Sequence, residues 1–296
     1  MPVDWAGAMA RGLASMHVQD ARIVVTNKFT ETIAGMTGNP SYSADRGGGA
    51  VAARTVTGPG GPVVYLNHDE TASFGPAEIE RLVAHEAGHV LIDGRGTEET
   101  SGHRDSAETD WQWWLKCLGA LAITEFRIER SLAELGYPTA EWATAPAVDQ
   151  SLLVTNVEVV SAVVDPDSAD PSHLQDALLT TLNHVTKLLA YVAAPIAAGR
   201  ISFPLSELSI EGQANWADYI APSWSRRLAL WTSIPAATEP IPTSGWRTIL
   251  RKSAALERAL LLDFGFAFAN EPGGNYGFYR RSSDDVFEER LRRARA

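Results

Sequence analysis

The chain has 296 residues, 45% hydrophobic and 21% charged, ordinary globular material that excludes a disordered, collagen-like or coiled-coil protein. Its 25 Lys and Arg against 36 Asp and Glu give a formal net charge of -11, which argues against nucleic acid as the main ligand because phosphate binding needs a basic face. The single cysteine, Cys117, excludes an intrachain disulfide framework and a Cys-rich metal site, and sets the expectation of a reducing, cytoplasmic setting.

The length fits one large domain or two small ones. In chain order, residues 5–16 carry a weak helical pattern, and residues 21–29 and 50–57 are rich in β-branched side chains, as strands are. Between them, residues 35–49 read as a Gly-, Ser- and Asn-rich turn region. A second turn, residues 58–62, leads into a third strand at residues 63–67, which predicts a three-stranded sheet before residue 70.

A helix with a readable start and stop follows. Gly75 and Pro76 suit its first positions, Glu78 favours the helix dipole, and Gly94 ends it. Ile79, Leu82, Val83, Val90 and Leu91 recur at helical spacing along it. A polar loop over residues 94–110 leads into a long helix over residues 111–135, stopped by Gly136 and Pro138. Residues 151–164 fit helix or strand, whereas 172–194, 222–232 and 246–262 read as helices. Residues 270–279 read as an ordered aromatic loop. No targeting segment and no uninterrupted run of about 18 apolar residues is visible, so no membrane association is expected. The basic stretch around Arg290, Arg292 and Arg293 reads as a solvated helix end.

The chemistry lies in His85-Glu86-Ala87-Gly88-His89, in the middle of the first well-bounded helix. Two His four apart project from one helical face, so both imidazoles reach one ion. Imidazole nitrogens suit zinc, and Glu86 is placed to take a proton from a zinc-bound water without itself being a ligand. No helical cation compensates Glu86, and an unpaired buried carboxylate is costly.

A third ligand is expected from the long helix. Its apolar stripe runs through Trp114, Leu118, Leu121, Ile128 and Leu132, with Glu125 inside it and Glu129 one turn on. Neither acid has a Lys or Arg three or four residues away, since Arg130 pairs with Glu134, so a zinc ion and a zinc-bound His would supply the positive partners. Glu125 is therefore the expected third ligand, and Glu129 the acceptor that orients His85 or His89. His103 lies among acidic residues as a solvated alternative, His68 reads as a turn residue, and His184 as a structural one. Tyr137, Tyr191, Tyr219, Tyr276 and Tyr279 are all eligible oxyanion donors. Cys117 reads as a buried small residue, and Trp111, Trp113 and Trp114 cannot all face one way.

The pentapeptide followed by Glu125-Phe-Arg-Ile-Glu129 resembles the gluzincin metallopeptidases, whose pattern is HExxH and a downstream Glu-x-x-x-Asp or similar. The likeness covers about residues 20–136, and its short sheet is most similar to compact members of the ImmA and IrrE type, which cleave repressor proteins. Here the spacing from His89 to Glu125 is longer than in thermolysin-like enzymes, and the second acid is Glu129 instead of Asp. Arg95 stands where a metzincin would require a third His.

These readings predict an α+β protein. Residues 1–138 would form a zincin-like metallopeptidase domain with a small N-terminal β-sheet and the HExxH helix, and residues 139–296 a mostly α-helical second half. The expected function is zinc-dependent hydrolysis of a protein or peptide substrate, with Glu86 as general base. A non-peptidase zinc amidohydrolase and a catalytically idle peptidase-fold sensor are the alternatives.

Overall fold

The computed structural model describes residues 4–44, 50–96, 100–165, 167, 170–200 and 205–295. Its N-terminal part runs α1 (Trp5–Ser15), β1 (Arg22–Thr26), α2 (Phe29–Thr37), β2 (Ala53–Gly58), β3 (Gly61–Asn67), the one-turn α3 (His68–Thr71) and α4 (Pro76–Asp93). The three expected strands form one sheet in the order β1-β3-β2, with β1 parallel and β2 antiparallel to β3. As the central strand, β3 buries every residue from Val63 to Asn67. Alternation divides its side chains between two layers. Val64 and Leu66 face α1 and α4 through Trp5, Ala8, Ile79 and Val83. Val63 and Tyr65 face α2 through Phe29 and Ile33.

Helix α2 corrects the sequence reading, which ran the first strand to residue 29 and began a turn region at 35. The Lys28 amide donates to Thr26 Oγ1 at 3.0 Å and turns the chain out of the strand. Phe29 and Ile33, four apart, then bury one helical stripe that the β-branched Thr30 and Thr32 disguise. Residues 45–49 of the expected turn lie outside the described residues.

Helix α4 has the expected ends. Its first turn is closed by the Gly75 amide donating to Glu78 Oε2 at 2.7 Å. The polar loop that follows contains a 3₁₀ turn, Ser101–Ser106, before α5 (Asp110–Glu134). Helices α4 and α5 approach closely because Gly88 has no side chain: a Cβ there would lie 2.8 Å from Ile128 Cγ1 and Cγ2.

The remainder is mostly helical: α6 (Ala145–Val164), α7 (Pro171–Ala197), α8 (Ile210–Asn215), a π turn (Trp216–Ile220), α9 (Ala221–Thr232) and α10 (Thr243–Asp263), then β4 (Phe266–Asn270), β5 (Tyr276–Arg280) and α11 (Asp284–Ala294). The α+β class holds, and the ambiguous segment before residue 164 is helix. Among the described residues α6 alone is long and apolar enough to cross a membrane by length and composition, with mean hydropathy 1.4, and Val148, Leu152 and Val159 on it are buried.

Residues 270–279 are not a loop. They supply most of a hairpin in which Phe268 pairs with Phe278, around a turn where Gly273 and Gly274 have φ of 81° and 83°. Phe266, Phe268, Tyr276 and Phe278 alternate with smaller or exposed residues, and Trp111 and Trp114 pack beneath them. The largest core cluster runs from Trp111 and Phe126 on α5 through Leu182 and Leu189 on α7 to Trp231, Trp246 and Phe268. Ile128 and Leu132 of the same α5 belong to a smaller core under α4. Helix α5 thus serves both.

The C-terminal basic stretch also departs from expectation. Arg292 is exposed, but Arg290 is buried, donating to the Phe264 carbonyl at 2.7 Å and the Asp263 carbonyl at 2.8 Å, and Arg293 pairs with Asp218. These guanidiniums cap α10 and dock α11 instead of meeting solvent.

Candidate metal centre

The helical repeat places Arg81, His85 and His89 on one stripe of α4, one turn apart. Helix α5 crosses it with Glu125 and Glu129, and all of these except Arg81 and His89 are buried. His85 Nε2 lies 3.2 Å from Glu125 Oε2, and His89 Nε2 lies 3.9 Å from the same oxygen. Donor atoms of His85, His89 and Glu125 all lie within 4.8 Å of one another. Tetrahedral zinc ligands at about 2.0–2.1 Å from the ion would stand roughly 3.3 Å apart, so this donor set fits that metal.

The other nitrogen of His85, Nδ1, is 2.8 Å from Glu129 Oε1. A carboxylate there holds the Nδ1 proton and leaves Nε2 as the ligand atom, the arrangement that metal-binding histidines require. The structure therefore brings together the four residues expected as ligands or orienting acceptor.

The charge balance differs from the sequence reading, in which only a metal and a bound His offset the two acids. Glu129 Oε2 accepts from Arg81 Nη2 at 2.5 Å, and Lys187 Nζ of α7 lies 3.9 Å from Glu125 Oε1. Arg81 was legible: it stands one turn before His85, on the stripe of the two histidines. The apolar stripe proposed for α5 was also partly out of phase, since Leu121 is exposed.

In this cluster, burial alone would lower the His85 pKa, but hydrogen bonds with Glu125 and Glu129 and their charges outweigh it and raise it to about 10. Burial would raise Glu125, but the facing His85, His89 and Lys187 hold it well below the ordinary carboxylate range. His85 is thus clamped between two carboxylates, one at each ring nitrogen.

Glu86 is buried one residue along from this stripe and outside the three-donor group. Its Oε2 accepts from Thr55 Oγ1 at 2.7 Å, and the same hydroxyl reaches the Glu86 carbonyl at 3.0 Å. Thr55 lies on the sheet-edge strand β2. Nothing local to Thr55 in the sequence announces this contact.

Of the five tyrosines, Tyr191 alone is at the cluster among the described contacts. Its ring stacks on His85 with centroids 6.0 Å apart, and its hydroxyl is 3.2 Å from Glu125 Oε2. Burial, then the Glu125 and Glu129 charges, push its pKa well above the ordinary phenol value. Tyr137 is bonded to Glu80, Tyr219 to Asn156 and Tyr279 to Glu271, while Tyr276 packs on Trp114.

No protein-family model, curated protein or solved structure matches the chain.

The remaining candidates fall elsewhere. His103 is buried, not solvated, with Arg247 Nε donating to its Nδ1 at 3.2 Å, and it is outside the three-donor group. His68 is exposed beside Asp69, and His184 is half-buried on α7. Arg95, at the position a metzincin would give to His, instead donates to the Ala237 and Thr238 carbonyls. Cys117 is only partly buried, beside Trp114 and Leu118.

Proposed function

We propose that the protein is a zinc metallopeptidase of zincin-like, gluzincin type, with His85, His89 and Glu125 as ligands and a protein or peptide as substrate. The observation that carries this reading is the convergence of three zinc-type donor groups within 4.8 Å, on helices whose second set of side chains already orients them. Bound there, zinc would acidify a water and polarise the scissile carbonyl.

The chain's own residues do the rest. Glu129, itself held by Arg81, keeps the His85 proton on Nδ1. Thr55 fixes one oxygen of Glu86. Glu86 takes the proton of the attacking water and returns it to the leaving amine, the two proton transfers that amide hydrolysis requires. Among the described contacts Tyr191 is the tyrosine at the cluster, and its hydroxyl donates to Glu125 Oε2. A reducing, cytoplasmic setting belongs to the proposal on the strength of the lone cysteine.

Metal analysis of the purified protein, combined with proteome-wide cleavage mapping of wild type and Glu86→Gln, tests this reading. One zinc per chain in both proteins and cleavage in the wild type alone is the expected result. Metal-free protein after growth with zinc, or equal cleavage by Glu86→Gln free of wild type, removes it.

A further inference from the structure

Helix α7 belongs to the second half of the chain, yet two of its side chains reach Glu125. Lys187 and Tyr191 are four residues apart and so share one face of the helix. They address different oxygens. Tyr191 donates to Oε2 at 3.2 Å, the oxygen that also faces both His Nε2 atoms, whereas the Lys187 ammonium lies 3.9 Å from Oε1.

We propose that α7 makes Glu125 a one-oxygen ligand: Tyr191 fixes Oε2 toward the histidines, and Lys187 holds Oε1 away from them. This rests on the metal reading and deepens it. A carboxylate free to rotate can give a metal both oxygens, which fills the position a substrate water must occupy. An oxygen has two lone pairs, so Oε2 can accept the Tyr191 proton on one and offer the other to the ion. With Oε1 engaged by an ammonium, the coordination number stays at three protein donors. The helical half is then part of the catalytic apparatus, and both α7 residues act by positioning, through Glu125.

Cobalt substitution reads this directly, because four-coordinate Co²⁺ absorbs visible light far more strongly than five- or six-coordinate Co²⁺. In the full chain loaded with Co²⁺, Lys187→Met should lower the visible absorption severalfold as Oε1 joins the ion, with metal still bound, and Lys187→Arg should restore it. Lys187 is 37% exposed, so its substitution leaves the fold standing. Tyr191→Phe keeps the ring on His85 and should weaken Co²⁺ and Zn²⁺ binding by about 10–100-fold, as losses beyond the ligands themselves do. Wild-type spectra and wild-type affinities in Lys187→Met and Tyr191→Phe would overturn the α7 assignment while leaving the zinc centre intact. A wild type that takes up no Co²⁺ or Zn²⁺ would overturn both.

Discussion

The candidate metal centre and the Arg227–Glu257 pair both bury charge, and they do it in opposite ways. Arg227 on α9 and Glu257 on α10 are each 0% exposed, with Nη1 2.6 Å from Oε1 and Nη2 3.2 Å from Oε2. One cation meets one anion, both Glu257 oxygens are used, and Arg227 Nη2 also donates to the Leu256 carbonyl at 3.2 Å. Burial pushes Glu257 up, and Arg227 only partly offsets this. At the α4–α5 crossing, Glu86, Glu125 and Glu129 are gathered beside Arg81, Lys187 and two histidines, and His89 remains 25% exposed. A sealed one-to-one pair presents no set of donor atoms that converge on one point. The crossing has donor atoms that face one another across a gap of metal size, with an open side. Burial of charge alone does not mark a site; donor atoms that converge on one point do.

The largest effect expected is structural and tests the sealed pair. Arg227→Ala leaves Glu257 as an uncompensated buried charge and should cost about 3–5 kcal/mol, whereas the paired change Arg227→Met with Glu257→Leu should cost far less. Denaturant melts measure both, and a zinc affinity unchanged in whatever remains folded separates this region from the other. Equal losses in the single and paired variants would show that the pair is not a closed unit.

At the crossing, Glu125→Ala should sharply lower zinc occupancy, Glu129→Ala should weaken binding by about 10–100-fold, and His103→Ala should leave it unchanged. Isothermal titration with zinc ranks the three. Loss of zinc in His103→Ala and not in Glu125→Ala would move the third ligand to the loop and break the gluzincin assignment.

Gly88→Ala should be felt by both stability and metal. Its Cβ meets Ile128 at 2.8 Å, so α4 must shift against α5. Overpacking of this kind costs about 1–3 kcal/mol, and the same shift separates His85 and His89 from Glu125. Lower stability with unaltered zinc affinity would mean that the histidines tolerate the displacement.

The mildest prediction uses pH. The folded, metal-free His85 has its pKa raised from 6.5 to about 10. Its contribution to stability is therefore whole below 6.5 and is lost as pH rises through about 10. Glu125 has the opposite sign: depressed from 4.5, it stabilises above that value and loses the effect as pH falls. Metal-free protein should melt at progressively lower temperature over the alkaline span, and His85→Gln should flatten that slope. Zinc bound at Nε2 would displace a His85 proton, so zinc affinity should rise with pH over the same span, by up to about tenfold per unit. The Arg227–Glu257 region contributes nothing to this slope, which a metal-free Arg227→Met with Glu257→Leu variant would verify.

What the sequence determined is what helical geometry carries locally. Spacing of four put His85 and His89 on one face, a second spacing of four did the same for Glu125 and Glu129, and Gly75, Pro76 and Gly94 bounded the helix. Runs rich in β-branched residues, bounded by turns, marked the three strands, although α2 and the β4–β5 hairpin escaped because β-branched residues disguised one and glycines the other. Tertiary structure alone decided the partners. Thr55 reaches Glu86 across 31 positions, Tyr191 reaches Glu125 across 66, and the Asn156 side-chain amide donates to the Arg290 carbonyl across 134. Such contacts arise where separately folded elements pack, and no periodicity in either element encodes which residue of the other it will meet.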